Sequence, residues 1–587
     1  MKKQMLLVRF LPITILILSG ITLYSQKTDQ NRIRKDIIYL ASDKLAGRKA
    51  GSAGADSAAL FIASEFNHAG LKAFGKNYMQ DFDMPVGIIK SENNTLQISG
   101  INYKLNEDFT PLSFSSNDKL EAEVVFAGYG RIKAKDTLGI DDFKGADLKG
   151  KWVMLLAGTS AKTGSYNQSL ERNKALDAKD KGAAGVLILS LENRLPSEEE
   201  ERSGSSSGIP VIYLNLKLTT ILLKVAGVNP DSLNRQIKEG KKFNSIVVPV
   251  KVSANVILTE KMAKISNVIG YLEGCDSILK KQYLVIGAHY DHLGMGGPNS
   301  GSRTPDEIAV HYGADDNASG TSAVIEMAYL LKQNNIRPRR SIIFVAFTAE
   351  ELGLIGSKYF VKNPPVQLKN MDAFINFDMI GRLNNKTNGL VIGGSGTSAE
   401  SERIINNCKG KKHKLNVKLN PDGFGPSDHA SFYISNIPVF FLTTGAHDDY
   451  HTPRDVWSKI NFKGMMKIID FSEGLILNIV NRDSMLTYRE SGPKKEENSQ
   501  MSYKVTLGIL PDVTGTSNEG LRVDGVRKDG PAERGGIKKG DVIIQMNGKP
   551  VKNIYEYMHR LNQLEPGQTV TVDVLRNGKK VILLIQL

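Results

Sequence analysis

Histidines and carboxylates gather in two short stretches in the middle of the chain, "VIGAHYDHLG" at residues 285–294 and "GADDNASG" at residues 313–320. Buried imidazole and carboxylate groups are costly unless something pairs with them. His289 and Asp291 are two residues apart at the end of an apolar run, so in extended backbone both lie on one face. Asp291 could then accept the second N–H of His289 and orient the ring. By the same period, His292 is expected to point the other way.

Groups of the same kind recur farther along the chain. Asp315 lies in the glycine-flanked turn, Glu350 and Glu351 follow "SIIFVAFTA", Asp378 follows "DAFINF", and His451 lies in "DDYHTPRD". Most of these positions come at or just after the end of a predicted strand, which is where open α/β sheets place their ligand crevice. The pattern therefore predicts one shared site.

The residue types indicate which chemistry this site could perform. Two histidines with several carboxylates and no thiolate are typical of zinc, and manganese or cobalt would also accept them. A single catalytic zinc keeps three protein ligands and a water, so five ligands suit two ions if one carboxylate bridges them. Of the adjacent Glu350 and Glu351, one could bind metal while the other takes a proton from water. An isolated pair at a helix start would more often stabilise the helix dipole.

Apolar strands must position these groups. The runs "QYLVIGAH", "SIIFVAFTAE", "DAFINFDMIG", "GLVIGG" and "IPVFFLTT" predict strands, and segments such as "SGTSAVIEMAYLLKQNN" predict helices between them. Strands that are apolar throughout indicate a sheet covered on both faces. We therefore expect an α/β fold with a mixed, mostly parallel sheet and helices on both faces.

Changes in composition and in predicted secondary structure divide the chain into segments. Short β-type runs precede the long α/β region, and a polar stretch, "SGPKKEENSQ", separates it from a last set of short strands and turns. We expect a signal peptide at 1–26, the N-terminal part of the catalytic domain at 27–116, a small β-rich α/β insert at 117–258, the catalytic domain at 259–485, a linker at 486–500 and a further domain at 501–587.

The first residues also bear on location. A basic start and the apolar run "FLPITILILSGITLY" predict a secretory signal, with an uncleaved anchor as the alternative, and hence export to the periplasm or beyond. No later run predicts a membrane span. An exported chain could join Cys275 and Cys408 in one disulfide. The net charge of +14 over 587 residues is moderate, and without a basic run interleaved with aromatics we do not expect nucleic-acid binding.

Five stretches, "GAHYDH", "GADDNASG", "FTAEELGLIGS", "NFDMIG" and "YHTPRD", occur in this order across residues 283–456. In them the chain resembles the family-28 metallopeptidases, which include di-zinc aminopeptidases of the leucyl type and glutamate carboxypeptidase. The resemblance implies the zinc exopeptidase fold and two zinc ions per chain. It also implies a role for each residue: Asp315 bridges the ions, Glu351 and His451 complete one site, His289 and Asp378 complete the other, Asp291 orients His289, and Glu350 is the general base and acid.

Members of this family also stabilise the oxyanion of the tetrahedral intermediate, often with a tyrosine. The loop "DGFGPSDHASFY" offers Ser427, Asp428 and His429 as candidates. Hydrogen bonds that cap the loop are an equally good interpretation of these three residues.

Both flanking modules have resemblances of their own. The insert is similar to a protease-associated domain, which would shape the substrate cleft or serve as a passive structural element. The last segment resembles a bacterial PDZ domain, with "VTLGILPD" as the carboxylate-binding loop around Leu507, Gly508 and Ile509. Such a domain adds a peptide to a sheet edge and holds its terminal carboxylate on backbone N–H groups. An unused groove is the alternative.

These observations predict an exported zinc exopeptidase that acts on peptides, most simply an aminopeptidase. The alternatives are a carboxypeptidase of the glutamate carboxypeptidase type, a glutaminyl cyclase, and a peptide-binding scaffold. A carboxypeptidase needs Arg or Lys donors for a substrate carboxylate, whereas the loops near the site are rich in acids. The additional acids are Asp316, Asp428, Asp448 and Asp449, and the nearby basic exceptions are Arg303, Arg382 and Arg454.

Overall fold

The computed structural model describes residues 28–133, 140–159, 166–197, 206–239, 241–297, 300–408, 414–492, 505–511, 519–527 and 530–587. The predicted signal peptide and the greater part of the predicted linker lie outside these residues. Within the described ranges, no helix is long and apolar enough to cross a membrane.

Two helices and a long strand open the described chain: α1 (Gln30–Leu40), α2 (Ala53–His68) and β1 (Met79–Lys90). Each helix begins at a residue of the type that favours helix starts. The Asp29 side chain accepts the backbone N–H groups of Asn31 and Arg32, and the Ser52 side chain accepts that of Ala55. Both helices therefore have a side chain that caps their first turn.

The insert contains β2 (Thr95–Ile98), β3 (Ile101–Tyr103), β4 (Phe109–Pro111), β5 (Asp118–Phe126), β6 (Ile132–Lys133), β7 (Ile140–Asp141), β8 (Trp152–Leu156), α3 (Gln168–Asp180), β9 (Gly185–Leu189), β10 (Val211–Leu214), α4 (Leu216–Val225), α5 (Pro230–Lys238) and β11 (Ile246–Val256). Eight of these strands form a separate sheet, in the order β3-β2-β11-β5-β8-β9-β10-β4, and β6 pairs with β7. Because β2 pairs with β11 and β4 with β10, this domain begins before the predicted boundary at residue 117. Strands of three or four residues are too short for their periodicity to assign them from sequence.

The domain predicted to be catalytic also contains β12 (Leu258–Leu272), β13 (Tyr283–His289), α6 (Gly320–Gln333), β14 (Ser341–Phe347), α7 (Ile355–Lys362), β15 (Met371–Phe377), β16 (Gly389–Gly393), α8 (Ser401–Cys408), β17 (Asn416–Leu419), α9 (His429–Ile434), β18 (Val439–Thr443) and α10 (Phe462–Val480). With β1, its strands form a second eight-stranded sheet, in the order β1-β12-β14-β13-β15-β18-β16-β17. The four central strands β14, β13, β15 and β18 are parallel, as are β16 and β17. The expected mixed, mostly parallel sheet is confirmed.

Both faces of this sheet are covered. Along β13, Leu284 and Ile286 pack into the larger hydrophobic core, together with residues of α1, α2, α6 and α10. Val285 points to the opposite core, which contains Phe360 of α7 and Phe432 of α9. Two covered faces explain why the central strands are apolar at every position.

The C-terminal domain has its own core and contains β19 (Ile509–Pro511), β20 (Leu521–Val526), α11 (Pro531–Arg534), β21 (Val542–Met546), β22 (Lys549–Pro550), α12 (Ile554–Asn562), β23 (Thr569–Arg576) and β24 (Lys579–Gln586). Strand β19 is at one edge of its sheet. Leu507 and Ile509 are buried in the core, and Gly508 between them has a positive φ of 77°. Cys275 and Cys408 are free thiols, so the structure does not contain the disulfide that the sequence allowed.

Candidate metal centre

The carboxyl ends of three neighbouring parallel strands bring the first group of site residues together. His289 is the last residue of β13, Asp378 directly follows β15, and Glu350 comes three residues after β14. The ring Nε2 of His289 lies 3.7 Å from Asp378 Oδ2 and 3.9 Å from Glu350 Oε2. The structure thus brings these residues together at the carboxyl ends of the strands, where the sequence analysis placed them.

Asp316, and not Asp315, lies between the two histidines. Asp316 Oδ1 is 3.3 Å from His289 Nε2, and Asp316 Oδ2 is 3.1 Å from His451 Nε2. His451 Nε2 is also 3.2 Å from Glu351 Oε2. Two sets of possible ligands thus share the Asp316 carboxylate, one with His289 and Asp378 and the other with His451 and Glu351.

The assignment of Asp315 as the bridging residue is therefore wrong. Its Oδ1 accepts hydrogen bonds from the backbone N–H of Gly381 at 2.6 Å and from the Ser319 hydroxyl at 2.9 Å. Its Oδ2 lies 3.3 Å from His447 Nε2, so the carboxylate is directed to His447 and not to His289 or His451. The backbone at Asp316 is not helical, with φ −105° and ψ 93°. In extended backbone, successive side chains point to opposite sides. A single Asp455 oxygen accepts both backbone N–H groups, of Asp315 at 2.9 Å and of Asp316 at 3.0 Å, which fixes this turn.

His292 is buried in the site, whereas the sequence analysis expected its side chain to point away from His289 and Asp291. Its Nδ1 is 2.7 Å from Glu351 Oε1 and 3.8 Å from Asp316 Oδ2. His292, Asp316 and Glu351 also form a group whose ligand atoms lie within 4.8 Å of one another. The strand period does not apply to His292 because β13 ends at His289. The spacing of the two histidines in "HYDH" was the available signal.

Hydrogen bonds to backbone carbonyls set the orientation of both histidine rings. His289 Nδ1 is 3.2 Å from the carbonyl oxygen of Asp291 and 3.7 Å from its carboxylate, and His451 Nδ1 is 3.0 Å from the carbonyl of Gly301. A proton on each Nδ1 leaves the Nε2 lone pairs directed at the shared Asp316. Imidazole nitrogen and carboxylate oxygen are the ligands that zinc accepts, and three such ligands per set leave room for water. The donor set fits a pair of zinc ions.

The electrostatics of the two adjacent glutamates differ. Burial and the charge of Asp316 oppose ionisation of Glu351, but hydrogen bonds with His292 and His451 lower its pKa to about 2. Burial raises the pKa of Glu350 well above its ordinary value, and the neighbouring acid Glu351 adds to this effect. Glu350 is held in place by its backbone N–H, which donates to Asp291 Oδ1 at 3.0 Å. The structure thus gives Asp291 contacts to both His289 and Glu350.

Tyr450 also lies at the site, although its role could not be placed from sequence. Its ring stacks on that of His451, with centroids 3.8 Å apart. Burial raises the pKa of the Tyr450 hydroxyl, and Asp316 and Glu351 raise it further. The phenol therefore keeps its proton and can donate a hydrogen bond. Its position directly before a candidate ligand in "DYHTPRD" was the available signal.

The three loop residues considered for the same role are buried. Ser427 accepts a hydrogen bond from Asn376 Nδ2 at 2.7 Å, and the ring of His429 stacks on Phe441 with centroids 4.2 Å apart. Burial lowers the pKa of His429 to about 3 and raises that of the fully buried Asp428 to about 7. Their packing favours a supporting role behind the site.

A buried arginine from the N-terminal segment holds the loops of the site together. The Arg48 side chain is fully buried and donates hydrogen bonds to five backbone carbonyl oxygens. The acceptors are Tyr290 at 2.6 Å, Leu40 at 3.0 Å, Tyr312 at 2.5 Å, Gly313 at 2.6 Å and Asp316 at 3.4 Å. Arg48 lies in the stretch "DKLAGR" at residues 43–48 and was not among the residues predicted for the site.

Comparison with known proteins agrees with this geometry. Residues 267–474 match the family described as Peptidase family M28. The chain carries a family M28 peptidase domain. This assignment makes the protein a metallopeptidase. Residues 497–587 match the family described as PDZ domain. The resemblances noted for these two regions are therefore confirmed.

Several characterised proteins are similar to this peptidase. Aminopeptidase YwaD of Bacillus subtilis (strain 168) is 25% identical over 450 residues, covering 75% of this chain and 83% of that protein. Leupeptin-inactivating enzyme 1 of Streptomyces exfoliatus is 37% identical over 158 residues, 26% of this chain and 34% of that protein. This match thus spans about a third of the Streptomyces enzyme. A solved zinc aminopeptidase from Bacillus subtilis aligns with a TM-score of 0.47 at 23% identity, covering 78% of this chain and 98% of that one.

Proposed function

We propose that this protein is an exported two-zinc aminopeptidase that removes N-terminal residues from peptides. The observation that carries the proposal is the Asp316 carboxylate, whose two oxygens face His289 and His451 within two sets of ligands. A glutaminyl cyclase needs only one zinc, and a peptide-binding scaffold has no use for either set. Export is inferred from the N-terminal sequence alone.

In this proposal, His289, Asp316 and Asp378 would hold one zinc, and Asp316, Glu351 and His451 would hold the other. When bound, the two ions would lower the pKa of water and polarise the carbonyl of the scissile peptide bond. His292 would orient Glu351 through their 2.7 Å contact, and Asp291 would orient His289.

Glu350 lies beside these ligands without joining either set, and we assign it the proton transfers. Its carboxylate takes a proton from the attacking water and later delivers it to the nitrogen of the leaving amine. The Tyr450 hydroxyl, which keeps its proton, would donate a hydrogen bond to the oxyanion as the carbonyl carbon becomes tetrahedral. No covalent bond between enzyme and substrate is required.

The arginines near the site favour recognition of an N-terminal ammonium. Arg382 pairs with Asp449 at 2.6 Å, and Arg454 pairs with Glu307 at 2.9 Å. Arg303 donates to the backbone carbonyls of residues 447 and 448. Because each of the three guanidinium groups has partners of its own, none is a ready fork for a substrate carboxylate. This supports an aminopeptidase over a carboxypeptidase.

A matched pair of substrates tests the direction of cleavage. One peptide is N-acetylated and has a free C terminus, and the other has a free N terminus and is C-amidated. We expect the zinc-loaded enzyme to cleave the amidated peptide and to leave the acetylated one intact, as mass spectrometry would show. The reverse pattern would establish the carboxypeptidase instead.

The two accessory domains receive proposals of their own. The insert would act as a protease-associated domain that shapes the cleft. In the PDZ domain, the edge strand β19 would pair with an extended peptide whose terminal carboxylate is held near Leu507, Gly508 and Ile509.

A further inference from the structure

Helix α12 of the PDZ domain contacts helix α3 of the insert through charged side chains. Asp180, the last residue of α3, receives the guanidinium of Arg560 on both oxygens, with Nη2 at 3.0 Å from Oδ1 and Nη1 on Oδ2. Lys549 Nζ adds a second cation, 2.9 Å from Asp180 Oδ2. A carboxylate that accepts a guanidinium fork and an ammonium together is held in one geometry.

Three more contacts surround this ion pair. Lys179 Nζ lies 3.0 Å from Glu556 Oε1, and His559 Nε2 lies 3.3 Å from Asp177 Oδ1. Asn553 Nδ2 donates to the carbonyl of residue 206 at 3.3 Å. The contacts are complementary. Helix α3 presents two acids and one lysine, and the PDZ domain presents two cations opposite Asp180, the His559 ring opposite Asp177 and Glu556 opposite the lysine.

Burial shows that this contact is closely packed. The Arg560, Glu556 and His559 residues are only 3%, 1% and 4% exposed. Tyr557 and Leu561, on another side of α12, are buried in the PDZ core. Helix α12 is therefore enclosed by its own domain on one side and faces the insert on another.

Electrostatics agree with the geometry at Asp180. Burial alone would raise the pKa of this carboxyl, but hydrogen bonds from Lys549 and Arg560 hold it below its ordinary value. The ionised form of Asp180 is thus the one that the contact stabilises.

We propose that the PDZ domain is permanently docked on the insert through this interface, as one rigid unit. The edge strand β19, where a peptide would add, then keeps a fixed orientation relative to the insert. A peptide held there would occupy a constant position instead of moving on a tether. Docking requires neither metal nor turnover, so it is independent of the proposed peptidase activity.

Hydrogen–deuterium exchange of the full chain, read by mass spectrometry, tests this proposal with variants on both sides of the interface. Arg560→Asp places an acid opposite Asp180, so we expect the amides of α3, in the other domain, to exchange at least about tenfold faster. Strand β23 should keep its protection, which reports that the PDZ domain is folded. Asp180→Arg should have the reciprocal effect on α12.

The double variant D180R/R560D restores opposite charges, and we expect it to recover much of the protection in both helices. Lys580→Asp is the matched control, because it makes the same charge change at a pair with Asp573 within the PDZ domain. It should leave α3 unchanged. The proposal is overturned if R560D and D180R leave the facing helix as protected as in wild type, or if the double variant exchanges as fast as either single one. Should R560D unfold the PDZ domain, D180R with α12 as the readout decides.

Discussion

Substitutions of the adjacent aspartates Asp315 and Asp316 are expected to change the affinity for zinc by very different amounts. In Asp316→Asn, one of the two oxygens that face His289 and His451 becomes an NH₂ group, which cannot bind a cation, and the negative charge shared by both sets is lost. Two unit charges about 4 Å apart interact by about 4 kcal/mol at an effective dielectric of about 20, and because zinc is divalent the loss is at least this large. That energy corresponds to a loss of roughly 10³-fold in affinity for zinc.

Asp315→Asn is the matched control. The amide oxygen of asparagine can still accept the hydrogen bonds from Gly381 and Ser319, so the turn should persist. We expect its affinity for zinc to fall by no more than about 10–100-fold, the range found for groups behind metal ligands, and therefore by less than in Asp316→Asn.

Competition with a chromophoric chelator measures both affinities, and circular dichroism checks that both variants are folded. The reasoning fails if Asp315→Asn loses zinc as severely as Asp316→Asn, or if Asp316→Asn binds as tightly as wild type.

Three further predictions use other parts of the structure. Glu350→Gln should retain zinc but lose at least about 10²–10⁴-fold in kcat, because it removes the group assigned to proton transfer; near-normal turnover in the zinc-loaded variant would exclude that role. Burial, reinforced by Glu65 and Glu326, raises the pKa of Asp36 to about 8 in the folded protein. The Asp36 carboxyl therefore loses its proton at a lower pH in the unfolded chain, and the free energy of unfolding falls as pH rises from about 4 to 8. Asp36→Asn should therefore raise the free energy of unfolding by up to about 4 kcal/mol near pH 7 and leave it unchanged at pH 4. Denaturant titrations at the two pH values measure this, and an equal gain at both would contradict the prediction. Arg48→Met should lower the free energy of unfolding by about 3–5 kcal/mol, because buried carbonyl groups lose their hydrogen-bond donor, and should weaken zinc binding. A denaturation midpoint and a zinc affinity equal to those of wild type would show that Arg48 does not hold the site.

The strands and most of the site were predictable from sequence because their signals are local. A strand covered on both faces must be apolar throughout, and β13, β14 and β15 have that pattern. The polar residues that follow such strands come together because parallel strands share one carboxyl edge. Glu350, Glu351 and Asp378 were identified in this way.

The remaining features depend on local geometry or on distant contacts. The choice between Asp315 and Asp316 is decided by a turn whose backbone is not helical at Asp316 and Asn317, which spacing does not encode. His292 faces the site because β13 stops three residues earlier. Arg48 reaches carbonyls more than 240 residues away along the chain, so no periodicity connects them.

A zinc titration tests the central claim, that two ions act together at the shared Asp316. Protein stripped of metal by a chelator is titrated with zinc while bound metal and hydrolysis of a C-amidated peptide are measured on the same samples. We expect activity to reach its plateau at two equivalents of bound zinc per chain. Full activity at one equivalent, with no further change as the second is added, would contradict the two-zinc mechanism.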